Sequence, residues 1–412
     1  MSVIERYAGL ILDLDGVVFR GHDPVRGVPG LLRRLRKNDV PVVFVTNNAT
    51  RTPGEWVEVF EAEKMEVDPG QIVSSAVATA DLLADGGHRA FVIGEFGLVS
   101  ALREAGVEVV DDQEEADTVV VGWDTRLTYD KLRDAATAIH RGCRFLGTNP
   151  DTIYPSPEGP WPGNGATLAY LRSATGVAPE VVGKPRTPLL EIAATRLGVD
   201  GPVLVVGDQV STDVTAASNM GWDSALVLSG VDTWVSLIGA AASPTWVVQA
   251  AGELDGPEPP VVRPAKEADL SDIRELLRDV GFDESQAARR LSDTLVAEAP
   301  GGEVVGTAAW EMVDAAAHLR AITVAESERG HGTGSHLVVR ALDELYRREV
   351  DWVYLLTPGA DEMFLKLGFW KVHRDRVPDE VLETAQFGAE SAGATALVRR
   401  LRDQARDPVG AA

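Results

Sequence analysis

Short runs of consecutive apolar residues, each closed by polar ones, mark the first part of the chain. Gly9-Leu10-Ile11-Leu12, Val42-Val43-Phe44-Val45 and Val203-Leu204-Val205-Val206 are too short for helices and carry no alternating polar positions. That pattern predicts buried strands of an open α/β sheet. Residues 1–75 read as strand, helix, strand, helix, with the first helix passing through Leu31-Leu32-Arg33-Arg34-Leu35 and the second starting at Thr52-Pro53. Residues 76–182 read as a separate α/β unit with strands at Ala90–Ile93, Val107–Val110, Thr118–Val121 and Cys143–Leu146, punctuated by Gly94, Gly122, Gly142 and Gly147. Residues 183–246 return to the first pattern.

At residues 247–261, the composition turns to Pro, Gly and acid without periodicity, which reads as a linker. A second domain then spans 262–412. Leu270, Ile273, Leu276 and Leu277 have helical spacing, strands are expected near Thr294–Ala297 and Glu303–Trp310, and no solenoid repeat is present.

Length and charge narrow the classes. A chain of 412 residues needs two or three cores. A net charge of −24 argues against nucleic acid or anionic lipid as partners held by bulk electrostatics. An anionic substrate has to be drawn in locally, by Lys184, a metal ion or helix N-termini. The single cysteine, Cys143, excludes an intrachain disulfide and a cysteine-built zinc cage, and reads as a small core residue. No apolar run reaches membrane-spanning length, and Met1-Ser2-Val3-Ile4-Glu5-Arg6 lacks a signal-peptide plan, so a cytoplasmic location is expected.

The chemistry sits where the strands end. Asp13-Leu14-Asp15-Gly16-Val17 puts two carboxylates one residue apart at a strand's C-terminal end, where open α/β sheets bind ligands. Neighbouring side chains alternate, so both face one site only if the chain turns at Gly16. Thr46-Asn47-Asn48 closes the second strand, and Gly207-Asp208 closes the third, with Thr212-Asp213 just beyond. Gly183-Lys184-Pro185 precedes a helix start with Thr187 at the cap and Pro188 at the first helical position.

Carboxylate, hydroxyl, lysine and metal-grade carboxylate in this order resemble the haloacid dehalogenase (HAD) superfamily. The Thr46-Asn47-Asn48 and Gly-Asp-x-x-x-Thr-Asp forms are similar to its type IIA branch of small-metabolite phosphatases. The resemblance covers about the first 245 residues. It implies a Rossmann-like core with a parallel sheet and an inserted α/β cap at 76–182. It also implies that Asp13 attacks phosphorus to form an aspartyl-phosphate, while Asp15 protonates the leaving alkoxide and later activates water. Mg²⁺ ligands carried over are Asp13, the Asp15 main-chain carbonyl and Asp208. Asp213 has two readings, a ligand acting through water or as outer support, or a helix-N-terminal carboxylate. Thr46 and Asn47 would donate to phosphate oxygens, and Lys184 would anchor both phosphate and Asp13.

The cap would choose the substrate through Trp123-Asp124, Thr148-Asn149-Pro150-Asp151 and Trp161-Pro162-Gly163-Asn164-Gly165. A small phosphorylated polyol or hydroxy acid is expected. HAD phosphatases with such an appendage resemble actinobacterial glycerol 3-phosphate phosphatases, which puts that ester first and 2-phosphoglycolate or another small phosphoester second.

In the second domain, a strand at Leu319–Val324 leads through Arg329-Gly330-His331-Gly332-Thr333-Gly334 into a helical run from Leu337 to Arg348. Glycines at such a junction let backbone amides close on a pyrophosphate. With the strand Val353–Leu356 and Met363-Phe364-Leu365-Lys366-Leu367-Gly368-Phe369, this resembles the GNAT acetyltransferases, an α+β fold. The resemblance implies that Arg329, Gly330, Gly332 and Gly334 cradle acetyl-CoA or CoA. Phe387-Gly388-Ala389-Glu390-Ser391-Ala392 is loosely similar to amino-acid acetyltransferase relatives.

Phe364 stands where many members have a tyrosine acid, Glu298 or Glu311 is a candidate base, and His331 reads as an exposed loop position. Three roles stay open: an active transferase, a CoA-sensing module, or a domain kept for packing or homodimer contacts. A chain whose main activity is acetyl transfer is the alternative from a different class.

Overall fold

The computed structural model describes residues 2–21, 23–156, 158–282, 291–357, 359, 361–384 and 394–402. The chain forms two compact units, Met1–Val231 with Ala242–Gly256, and Asp232–Ala241 with Pro257–Ala412. No helix among the described residues is long and apolar enough to cross a membrane.

The first unit is built on a six-stranded sheet in the order Trp246–Val248, Asp223–Val227, Val203–Gly207, Gly9–Asp13, Val42–Thr46, Ile72–Ser74. All neighbours are parallel. The three central strands are buried at every residue, because both faces are covered. Their side chains alternate between two cores. Leu10, Leu12, Phe44, Leu204 and Val206 enter one, while Ile11, Val43, Val45, Val203 and Val205 enter the other.

In the first core, Phe60 lies edge-on to Phe19 at 5.0 Å and tilted against Phe44 at 4.8 Å. Phe60 is carried by the helix Pro53–Ala62. Thr52 starts that helix by accepting from the Glu55 amide at 3.2 Å while Glu55 accepts from the Thr52 amide at 2.7 Å.

Register places the chemistry. Asp13 lies opposite Val45 and Leu12 opposite Val206, so Asp13, Thr46 and Asp208 reach the same C-terminal edge of the sheet. The cap carries a second parallel sheet of five strands, in the order Glu180–Val181, Arg144–Gly147, Thr118–Val121, Arg89–Ile93, Glu108–Val110. One cap helix, Phe96–Glu104, comes against the loop after Thr46, where the Gly97 amide donates to Thr50 O at 3.1 Å. A Cβ at Gly97 would lie 2.6 Å from that carbonyl, so only glycine allows the approach.

The second unit holds a seven-stranded sheet, antiparallel except where Ala316–His318 runs parallel to Trp352–Tyr354. The helix Thr333–Arg347 follows the strand Ala316–Val324.

Three expectations need correction. Residues 247–256 are not linker. Trp246–Val248 is the sheet's edge strand, and Ala251 and Leu254 are fully buried in the first core. A three-residue strand and one short turn carry too few apolar residues to show as periodicity.

Asp232–Ala241, inside the stretch assigned to the core, belongs instead to the second unit. Trp234 packs on His336 at 5.5 Å, the Gly239 amide donates to Asp343 at 2.9 Å, and Arg347 donates to Ala240 O at 3.1 Å.

Thr187 precedes the helix Pro188–Leu197 but is already helical itself, and its hydroxyl makes no capping bond.

Replacing Phe60 by Ala removes the ring that joins Phe19 to Phe44. The urea transition of the first unit should lose about 3–5 kcal/mol. A loss under about 1 kcal/mol would show that this aromatic cluster is loosely packed.

Candidate active site

Asp13 is the last residue of its strand and is buried. The turn that follows depends on Gly16, at φ +81°, whose amide donates to Phe19 O at 2.7 Å. A Cβ there would meet the Asp208 carboxylate at 2.3 Å, so this glycine serves both the turn and the close approach.

Lys184 crosses from the end of the cap into the cleft. Its ammonium lies 2.5 Å from Asp13 Oδ1 and 2.5 Å from Asp213 Oδ1, with only 3% of the residue exposed. Asp213 sits in the single π-helical turn Val210–Val214, and its Oδ2 accepts from the Gln209 amide at 3.1 Å and the Thr212 hydroxyl at 3.2 Å. Asp208 accepts from the Val231 amide through Oδ2 at 2.7 Å, while its buried Oδ1 has no partner among the described residues.

One ammonium therefore faces three buried carboxylates. Asp13, Asp208 and Asp213 each offer an oxygen within 4.8 Å of the others. The Asp15 carboxylate is not part of that cluster, which leaves only its main-chain carbonyl as a ligand from that residue.

The charge excess shows in the proton affinities. Burial raises Asp13 well above the usual carboxylate range, against the pull of Lys184. Burial, and then the Asp213 charge, raises Asp208 to about 7. Burial alone would depress the Lys184 ammonium, but Asp13 and Asp213 overcome this and hold it above its ordinary value. Asp15 keeps exposed surface, yet crowding by protein on the cleft floor raises its carboxyl while Lys184 and Arg51 oppose the rise. A hard-oxygen donor set, an orphaned carboxylate oxygen and uncompensated negative charge fit a divalent oxygen-seeking cation such as Mg²⁺.

The remaining expected residues divide. Thr46 is buried at the site, and its Oγ1 accepts from the Asn48 amide at 3.0 Å, leaving its hydrogen free for another acceptor. The Asn47 side chain is committed elsewhere. Its Oδ1 accepts from the Lys184 amide at 2.9 Å, and its Nδ2 donates to Lys184 O at 3.1 Å and to Asp151 at 3.2 Å. Both amide hydrogens are used, so only the Asn47 main-chain N–H remains for a phosphate.

Asp124 is paired with Lys131 at 2.5 Å with its carboxylate buried, and buried Asn164 donates to Val121 O and Asn149 O. These two cap residues hold the cap together. Trp123 stacks on Tyr154 at 4.0 Å, with Trp161 at 6.3 Å.

In the second unit, Gly330 and Gly332 take φ values of +83° and +91° ahead of the helix. Gly334 lies inside the first turn of that helix rather than in the loop. Arg329 Nε is tied to Val324 O at 3.1 Å, and His331 is exposed. Phe364 is a core ring against Phe369, and Glu298 is paired with Arg263. Phe387–Ala392 lies outside the described residues.

Loop composition picked out Asn149 and Asp151 but not their contact with Asn47. Arg51, whose charge is felt by Asp15, carried no recognisable signal.

The haloacid dehalogenase-like hydrolase model matches residues 10–108, an HAD-hydrolase-like model matches 181–254, and the acetyltransferase (GNAT) domain model matches 290–371. The acid sugar phosphatase of Staphylococcus haemolyticus (strain JCSC1435) is 37% identical over 246 residues, covering 59% of this chain and 93% of that protein. The p-nitrophenyl phosphatase from Archaeoglobus fulgidus is similar with a TM-score of 0.58 at 34% identity, covering 60% of this chain and 98% of that one. The glycerol phosphate phosphatase of Mycobacterium tuberculosis, solved in complex with calcium, is similar with a TM-score of 0.66 at 25% identity. That likeness covers 89% of this chain and 97% of the other.

A proton on Asp208 competes with a cation, so Mg²⁺ affinity should weaken by about tenfold per pH unit as pH falls below about 7. The metal-free unit should trend the opposite way. A carboxyl with folded-state affinity above its unfolded value of about 3.9 stabilises the fold below about pH 4, and loses that contribution as pH rises through about 7. Equal Mg²⁺ affinities at about pH 5.5 and 7.5 by calorimetric titration would contradict the first expectation, and a urea midpoint of the metal-free protein that rises between those pH values would contradict the second.

Proposed function

The chain belongs to the haloacid dehalogenase-like hydrolases, and on that premise we propose that its first unit is a Mg²⁺-dependent phosphomonoesterase acting through an aspartyl-phosphate on a small phosphorylated polyol. The observation that carries this reading is Lys184 bridging Asp13 and Asp213 beside the orphaned oxygen of Asp208, at the C-terminal edge of the sheet.

A carboxylate of Asp13 attacks phosphorus while the bond to the leaving oxygen breaks. Asp15 gives its proton to the departing alkoxide, a role suited to a carboxyl with raised proton affinity. Asp15 then takes a proton from the water that attacks the phosphorus, and the Asp13 carboxylate is restored. Lys184 orients Asp13 and meets a phosphate oxygen, while Thr46 and the Asn47 main-chain amide donate to the others. Asp13, Asp208, Asp213 and the Asp15 carbonyl would hold Mg²⁺, whose charge neutralises the transferring phosphoryl group.

Glycerol 3-phosphate is the favoured substrate. The similarity to a glycerol phosphate phosphatase extends over 89% of this chain, beyond the first unit alone. The acid sugar phosphatase and p-nitrophenyl phosphatase relatives support the wider class of small phosphoesters. For the second unit we propose CoA binding by Arg329, Gly330, Gly332 and Gly334 at the N-terminus of the helix Thr333–Arg347, with Phe364 bringing no hydroxyl for a leaving thiolate.

With Mg²⁺, glycerol 3-phosphate should be hydrolysed with a higher kcat/KM than 2-phosphoglycolate. EDTA should stop the reaction, and Asp13→Asn should lower the rate by at least about three orders of magnitude. Phosphate release by Asp13→Asn at the wild-type rate would end the proposal. Titration with CoA should give heat and a thermal shift; neither would occur if the second unit is only a structural partner.

A further inference from the structure

Between the cap and the catalytic lysine lies a chain of hydrogen bonds that the reaction itself does not use. Asp151 stands in the cap loop that follows the strand Arg144–Gly147. Its main chain is held at both ends, with its amide donating to Asn149 Oδ1 at 3.2 Å and its carbonyl accepting from the Gly165 amide at 2.8 Å. Asn149 in turn donates to Asn47 O at 2.7 Å. The Asp151 carboxylate is thereby fixed with both oxygens 3.2 Å from Asn47 Nδ2.

The Asn47 amide is at the same time clamped to the Lys184 peptide by two bonds, one to its N–H and one to its C=O. This clamp requires glycine at position 183, where a Cβ would come within 2.6 Å of Asn47 Oδ1.

We propose that Asp151 is a positioning residue: from the cap it tethers the Asn47 amide, which fixes the Lys184 main chain and so holds the ammonium between Asp13 and Asp213. The proposal rests on the phosphatase reading of the site. A carboxylate is an acceptor only, and Nδ2 is a donor only, so the tether has one polarity and leaves the amide one orientation. The tether also makes the posture of Lys184 depend on the cap loop lying against the core loop. Asp151 need not touch the substrate for this.

The test compares wild type, Asp151→Ala and Asp151→Asn in Mg²⁺-dependent hydrolysis of glycerol 3-phosphate and of p-nitrophenyl phosphate, alongside thermal melts. Asp151→Ala should lower kcat by about tenfold to a hundredfold with KM changed less, as expected for a misplaced catalytic group. Asp151→Asn should recover most of the loss, because its Oδ1 still accepts from Asn47 Nδ2. Wild-type kcat in Asp151→Ala overturns the proposal. So does equal impairment in Asp151→Asn, or a loss confined to KM, which would make Asp151 a substrate contact. Should Asp151→Ala fail to fold, Asp151→Ser replaces it, keeping a polar group that falls short of Asn47, with the same outcomes deciding. If wild type hydrolyses neither ester, the phosphatase reading fails instead, and the two failures are distinct.

Discussion

The first unit is organised around an electrostatic deficit. Three carboxylates are buried around a single ammonium, and burial without full compensation is costly. The fold accepts that cost because the parallel register leaves no alternative: strands in step deliver Asp13 and Asp208 to one edge, and the Val210–Val214 turn folds Asp213 back beside them. Close approach is purchased with missing side chains. A Cβ at Gly207 would lie 2.0 Å from Asp213, and one at Gly230 would lie 2.0 Å from Asp208. The same deficit accounts for the proton affinity of Asp208 and makes a divalent cation the natural occupant.

Much of this was legible in the residues. Unbroken apolar runs ending in Asp13, Thr46 and Gly207 announce buried parallel strands, and reactive groups at strand ends announce a site. What stayed hidden depends on partners remote in sequence. Asn47 looks like a phosphate donor because it follows Thr46. Only the fold reveals that the peptide of Lys184, 137 residues away, takes both ends of its amide. Asp124 looks available in a loop, and only packing shows Lys131 closing on it. Residues 247–256 look like linker because a short edge strand and two buried anchors leave almost no periodic trace.

The second unit follows the same division. Its helices and strands lie near their expected positions, since Leu270, Ile273, Leu276 and Leu277 keep helical spacing and the strand runs are long. Gly334 reads as loop in the sequence because glycine marks loops more often than first turns of helices, yet it sits within the first turn and Gly332 makes the bend. Phe364 occupies the position where many family members carry a tyrosine acid, and the edge-on ring of Phe369 packs it into the core.

The excursion of Asp232–Ala241 changes what a domain boundary means in this chain. Its ten residues are spent on the helix Thr333–Arg347 before the polypeptide returns as the edge strand Trp246–Val248. No single scission can therefore separate two intact folding units. A fragment ending near residue 256 would keep the excursion but lose its dock, leaving Trp234 without His336 and Gly239 without Asp343. The connection between the units is topologically a stitch rather than a seam, and truncation at one point cannot undo it.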